Sequence, residues 1–281
     1  MGVGVRLQEI VSLSADYVRK KGGRPRHEVE EWIAHTLGVK RLDLYLQFDR
    51  PVEQEERDRI REGISRLSAG EPLAYILKRA PFYGYEFEVS PDVLIPRPET
   101  ELIIDTVMPR LQGNTGIFVD VCTGSGCIGL SVKKLFPSWR VVLIDICDRA
   151  IQIAKRNAER LCVDVEVIQG DLLSPILSEK AGLVVCNPPY LSTDEWVALD
   201  GSVKEFEPRK ALDAGETGLE IYERALSQMR GILLPGGVGC FEIGSLQKKA
   251  VIQLIRECGF TNIICIKDLA GHDRLVSFEQ N

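Results

Sequence analysis

The sequence predicts an α/β protein: a mainly parallel, seven-stranded sheet with its last strand antiparallel, preceded by a helical bundle and a β-hairpin link. Three observations carry this. From Ile117 onward, apolar runs of strand length alternate with helical stretches at βα spacing. Before Leu77, helical periodicity runs without a strand signal. The Gly271-His272-Asp273-Arg274 turn between the last two strands is too short for a crossover helix, which forces the final strand antiparallel to its predecessor.

In order, Leu7, Ile10, Val11, Ser14 and Val18 recur at helical spacing until Gly22-Gly23 stops the run. Glu28 to Leu37 makes a second helix ended by Gly38, Leu42 to Leu46 a short third, and Glu53 to Leu67 a charged fourth. A helical domain over 1–78 follows. Over 79–97, Phe82, Tyr83, Tyr85, Phe87 and Val89 are β-prone, Ser90-Pro91-Asp92 signals a turn, and Val93 to Ile95 reads as a second short strand. This predicts a hairpin linking two domains. Pro98 suits the first position of a helix running to about Arg110. In the second domain, 98–281, strands are expected from Ile117, Arg140, Val163, Leu183, Gly237, Asn262 and Leu275, with helices from Ile128, Ala150, Leu219 and Leu246.

The net charge of −6 gives no whole-chain electrostatic footprint for nucleic acid. No apolar run reaches the ~20 residues of a bilayer span, and Met1 to Arg6 lacks the layout of a signal peptide. The cysteines form no Cys-x-x-Cys pair and read as reduced thiols of a cytoplasmic protein, with no metal expected.

The most informative stretch is Asn187-Pro188-Pro189-Tyr190, after the apolar run Leu183 to Cys186. Two prolines cannot continue a sheet ladder, so Asn187 sits at the carboxyl end of a strand, the edge where open α/β sheets bind ligands. The Asn187 amide offers an acceptor, the proline carbonyls are further acceptors on a rigid backbone, and Tyr190 offers a flat stacking face. Together they predict an acceptor-rich slot for a planar –NH₂ group. The first strand ends in Asp120-Val121-Cys122-Thr123-Gly124-Ser125-Gly126, and Gly124-x-Gly126-x-x-Gly129 matches the dinucleotide fingerprint. Asp145 ends the second strand, ~20 residues on, where a carboxylate holds ribose hydroxyls. To this point a nicotinamide dinucleotide and S-adenosylmethionine fit equally. Asp120 beside the loop tilts the choice, because its charge would repel a pyrophosphate and attract a sulfonium. Asp171, after the third strand, reads either as a helix N-cap before Leu172-Leu173 or as an acceptor for an adenine amino group.

These residues resemble the HemK/PrmC family of S-adenosylmethionine-dependent methyltransferases. The resemblance runs over nearly the whole chain, through Phe82-Tyr83-Gly84, Val93 to Glu101, Thr123 to Gly126, Asn187 to Tyr190, Phe206-Glu207-Pro208, Glu242-Ile243-Gly244 and Asp268 to Arg274. It implies a helical domain that grips the substrate protein, a hairpin link and a Rossmann-like class I methyltransferase domain. It also implies N5-methylation of the glutamine in the Gly-Gly-Gln loop of class I peptide-chain release factors, modulating translation termination, with S-adenosylhomocysteine as product. The implied cofactor contacts are Asp120, Cys122, Thr123, Gly124, Ser125, Gly126, Asp145, Ile146, Asp171, Leu172 and Asn187. Asn187, Pro188 and Tyr190 would be catalytic, and with Pro189 would bind the substrate amide. The expected partners are release factors, with no nucleic acid and no membrane, and the protein is expected to act as a monomer. Three positions depart from the family's usual pattern: Cys122 and Lys78 stand where Gly is usual, and Leu172 where Trp is common.

Other readings explain less. An adenine-N6 methyltransferase would use the same slot on a flipped base, but the chain is acidic and lacks an obvious target-recognition domain. A dehydrogenase leaves Asn187 to Tyr190 unexplained. A non-catalytic cofactor-binding adaptor would not need the slot.

Overall fold

The computed structural model describes residues 5–199 and 201–281. They form two compact units, residues 5–78 with Gly201–Phe206, and 79–199 with 207–281.

The first unit is helical: α1 (Leu7–Gly22), α2 (Arg26–Leu37), a 3₁₀ turn at Arg41–Gln47, α3 (Gln54–Ser68) and α4 (Leu73–Leu77). Gly23 and Gly38 close the first two helices in the left-handed conformation that L side chains avoid. Leu7, Val11, Val18, Ile33, Leu44, Ile60 and Leu67 form its core. Helices α2 and α3 approach closely because Gly63 leaves room for the Trp32 indole, which a Cβ there would meet at 2.0 Å. The indole N–H is satisfied by the Ile60 carbonyl at 3.0 Å.

The second unit opens with the hairpin β1 (Arg79–Phe82) and β2 (Tyr85–Glu88). This corrects the expected placement, because Val93 to Ile95 forms no strand. The turn is Tyr83-Gly84, at φ 49° and 80°. Two successive positive-φ residues match the right-handed twist of the flanking strands, so the chain reverses earlier than Ser90-Pro91-Asp92. A 3₁₀ turn at Pro98–Thr100 leads into α5 (Glu101–Leu111). Then follow β3 (Ile117–Val121), α6 (Cys127–Leu135), β4 (Arg140–Asp145), α7 (Asp148–Leu161), β5 (Glu166–Gln169) and β6 (Ala181–Cys186). Unanticipated short elements come next: β7 (Leu191–Ser192), α8 (Thr193–Val197), α9 (Gly201–Phe206, grouped with the first unit) and β8 (Asp213–Gly215), which pairs with β7. The chain ends in α10 (Glu220–Ile232), β9 (Leu233–Glu242), α11 (Lys248–Glu257), β10 (Thr261–Lys267) and β11 (Asp273–Glu279).

The seven-stranded sheet has the order β10-β11-β9-β6-β3-β4-β5. The pairs β6/β9, β3/β6, β3/β4 and β4/β5 are parallel, and β11 is antiparallel to both neighbours, as the short turn before it requires. Alternate strand residues face opposite cores. Val119, Ile144 and Val184 pack with Tyr222 and Met229 of α10, whereas Phe118, Leu143 and Val185 pack with Ile104 of α5 and Leu130 of α6. From β3 the chain winds outward through β4 and β5, then returns to β6 on the other side. That reversal opens a crevice above the carboxyl ends of β3 and β6. Among the described residues, no helix is long and apolar enough to cross a membrane.

Candidate active site

A cavity of about 800 Å³ occupies this crevice, within the range of small-molecule sites. Of the residues expected to hold a cofactor, Cys122, Thr123, Gly124, Ser125, Asp145, Ile146, Asp171, Leu172 and Asn187 line it. Pro189 also lines it, while Asp120, Gly126, Pro188 and Tyr190 stand outside the lining.

Asp120 lies beneath the glycine loop, fully buried. Its Oδ2 accepts from the Thr123 hydroxyl at 2.6 Å and the Gly129 N–H at 3.0 Å, while Oδ1 has no hydrogen-bond partner among the described residues. Burial pushes its pKa up to about 7, against the pull of those two donors. The loop itself is shaped by backbone demands. Gly126 caps α6 at φ 83°. A Cβ at Gly129 would sit 2.2 Å from Leu143, so this glycine is what lets α6 lie against the sheet. Cys122 adopts φ 57°, a left-handed torsion for which glycine is suited.

Asp145 reaches back to the loop, accepting from the Gly124 and Cys147 N–H groups, both at 2.9 Å. Burial raises its pKa despite these bonds. Asp171 pairs with Arg224, and both line the cavity. Leu172, buried at φ 53°, supplies an aliphatic wall.

At the end of β6, the Asn187 Nδ2 donates to Thr100 Oγ1 at 3.3 Å. Thr100 in turn donates to Glu242 Oε2 at 2.7 Å. Gln247 Nε2 holds the Tyr190 carbonyl at 2.6 Å, and burial raises the pKa of the Tyr190 phenol. No histidine lines the cavity among the described residues. Arg97 lines it and is paired with buried Glu207, and Glu101 accepts from the Tyr83 N–H at the hairpin turn.

Sequence reasoning gave no role to Thr100, Glu242 or Gln247, or to Asn157, whose Nδ2 donates to the Ser125 carbonyl of the glycine loop at 2.9 Å. Asn157 had a readable signal, a polar residue on the apolar face of α7 beside Ala154 and Ala158. Glu242 had another, a carboxylate ending an otherwise apolar strand. Thr100 lies in the Val93-to-Glu101 stretch that carries the family resemblance, whereas nothing local marks Gln247.

Two family models match the chain. The Methyltransferase small domain covers residues 98–199, and the PrmC N-terminal domain covers residues 10–77. The chain is 35% identical to a release factor glutamine methyltransferase of Geobacter sulfurreducens, over 96% of this chain and 95% of that protein. It is 34% identical to one of Enterococcus faecalis, over 98% of this chain and 99% of that protein. Among solved structures, a methyltransferase from Pyrococcus furiosus shares the fold, with a TM-score of 0.55 at 17% identity over 78% of this chain and 98% of that one.

Proposed function

The chain belongs to the release factor glutamine methyltransferase family, and on that premise we propose that it moves a methyl group from S-adenosylmethionine to a glutamine side-chain nitrogen. The acceptor is N5 of the glutamine in the Gly-Gly-Gln loop of class I peptide-chain release factors, and the product is S-adenosylhomocysteine. The observation that carries the reading is the Asn187-to-Tyr190 slot at the end of β6, beside the cavity above the β3 loop.

The cavity residues, together with Asp120 beneath the glycine loop, fit the cofactor. Asp120 keeps a buried oxygen without a hydrogen-bond partner among the described residues, directly under the loop, which suits a cationic ligand. Asp145 and Asp171 offer acceptors, and Ile146 and Leu172 offer apolar walls. When bound, S-adenosylmethionine supplies an electrophilic methyl group on a sulfonium.

The chain's own contribution is orientation. An amide nitrogen is a poor nucleophile because its lone pair is shared with the carbonyl. The Asn187 Oδ1 and the Pro188 carbonyl accept the two N–H bonds of the substrate amide, turning the nitrogen lone pair toward the cavity. Tyr190 packs on the amide plane, and Pro189 keeps the slot rigid. The acceptors also stabilise positive charge developing on nitrogen. The extra proton leaves to water once the N–C bond has formed, so no side-chain base is required.

The helical domain over 1–78 grips the release factor in this reading, 79–97 links it to the methyltransferase domain over 98–281, and the enzyme works as a cytoplasmic monomer without a nucleic-acid partner. Its effect is to modulate translation termination. The test is transfer of a labelled methyl group to a purified class I release factor, with a Gly-Gly-Ala version as control. Label on the first alone supports the proposal. Label on neither overturns it, and label on both moves the target away from that glutamine.

A further inference from the structure

We propose that Thr100 and Glu242 are positioning residues that decide which end of the Asn187 side-chain amide faces the cleft. This inference rests on the methyl-transfer reading above and adds the device that makes the slot an acceptor.

The placement starts in the sheet. Strands β6 and β9 are parallel neighbours, with Cys186 opposite Phe241. Asn187 and Glu242 are the next residues along those strands. Thr100, at the start of α5, lies between their side chains, donating to Glu242 Oε2 at 2.7 Å and accepting from Asn187 Nδ2 at 3.3 Å.

The direction of these bonds follows from counting protons. A hydroxyl has one hydrogen and two lone pairs, and an ionised carboxylate only accepts. Glu242 therefore takes the Thr100 proton and leaves Thr100 only lone pairs to offer. Asn187 must answer with its –NH₂ end, which leaves Oδ1 for the substrate. Reversed, the amide would set its own –NH₂ against the substrate –NH₂, donor against donor.

Glu242 is 2% exposed. Burying a carboxylate is costly, and one hydroxyl donor offsets that cost only in part. Burial raises its pKa to about 7. Other charges reach it from several elements. Arg274 of β11 and Arg97 favour its ionised form, while Glu99 opposes it. Tyr190, Tyr222 of α10, Cys240 of β9 and Cys127 of α6 also face its charge. Once protonated, Glu242 can donate to Thr100. The Thr100 hydrogen is then free to turn to Asn187 Oδ1, and the amide can reverse.

The experiment compares wild type with Thr100→Val, Thr100→Ser and Glu242→Gln. It reads turnover and KM for the release factor, S-adenosylmethionine affinity by calorimetry, and the Asn187 side-chain amide resonances in protein labelled with ¹⁵N-asparagine. Thr100→Val should lower kcat by about 100-fold, the scale of a misplaced catalytic group, with KM and cofactor affinity changing far less. Thr100→Ser should restore most of the lost turnover. Wild-type kcat should fall, and the Asn187 amide signals should move, as pH drops through about 7. Glu242→Gln should abolish both pH effects. Retained cofactor binding shows that each variant is folded. The inference is overturned if Thr100→Val keeps its turnover, if Thr100→Ser fails as badly as Thr100→Val, or if the Asn187 signals titrate unchanged in Glu242→Gln. Absence of methyl transfer by the wild type would overturn the functional reading and this inference with it. Wild-type transfer with an unaffected Thr100→Val would overturn this inference alone.

Discussion

The Asn157 side chain grips the main chain of Glu88 at both of its polar groups. Its Oδ1 accepts the Glu88 N–H at 2.6 Å and its Nδ2 donates to the Glu88 carbonyl at 3.0 Å. The same Nδ2 donates to the Ser125 carbonyl at 2.9 Å, so one buried amide ties the hairpin to the glycine loop. Asn157→Ala leaves these backbone groups unpaired at a buried site. We expect a loss of about 3 kcal/mol together with weaker S-adenosylmethionine binding, read by thermal denaturation and calorimetry. Stability and affinity both at wild-type values would refute the tie.

Cys122 and Lys78 both adopt left-handed torsions, φ 57° and 56°, for which glycine is suited. An L side chain there costs ~1–2 kcal/mol. Cys122→Gly and Lys78→Gly are each expected to stabilise the protein by about 1 kcal/mol, visible as a rise in Tm of a few degrees. A fall in Tm for both would show that lost side-chain packing outweighs the relieved torsion.

In the proposed mechanism Asn187→Ala removes a slot acceptor and leaves the glycine loop intact. Turnover should drop ~10²–10³-fold, while the calorimetric affinity for S-adenosylmethionine changes much less. An equal loss of both would move Asn187 from substrate to cofactor binding.

Asp120 should make cofactor binding pH-dependent. Burial lifts its pKa to about 7, so it is neutral below that value and charged above it. Affinity for the cationic S-adenosylmethionine should therefore rise from pH 6 to pH 8, while neutral-sulfur S-adenosylhomocysteine shows a weaker trend. Asp120→Asn should flatten the difference. The stability consequence has the opposite sense. A raised carboxylate holds its proton in the folded state and loses it on unfolding, so its contribution declines as pH rises from about 4 through 7. Asp120→Asn should then lose less stability than wild type over that range in pH-dependent denaturation.

Much of the fold was legible along the chain. The seven main-sheet strands fall near their expected places because buried strands are apolar and their connections are short. The antiparallel last strand followed from the length of one turn. The hairpin was displaced because its turn uses Tyr83 before Gly84, and tyrosine carries no sequence signal for a left-handed torsion. Asn187 and the Cys122-to-Ser125 loop could be placed at strand ends beside one cavity from the sequence because each belongs to a continuous run directly after an apolar strand.

What the sequence determined by itself was local: which segments are strands or helices, where the backbone must turn, and that an acceptor-rich Asn-Pro-Pro-Tyr follows an apolar strand. The tertiary structure decided the links between distant residues. Asn157 meets Glu88 across 69 positions, and Thr100 meets Glu242 across 142. Such pairs depend on strand order and on which side chains share a buried space. There an unpaired polar group is costly enough to hold a partner that no neighbouring residue foretells.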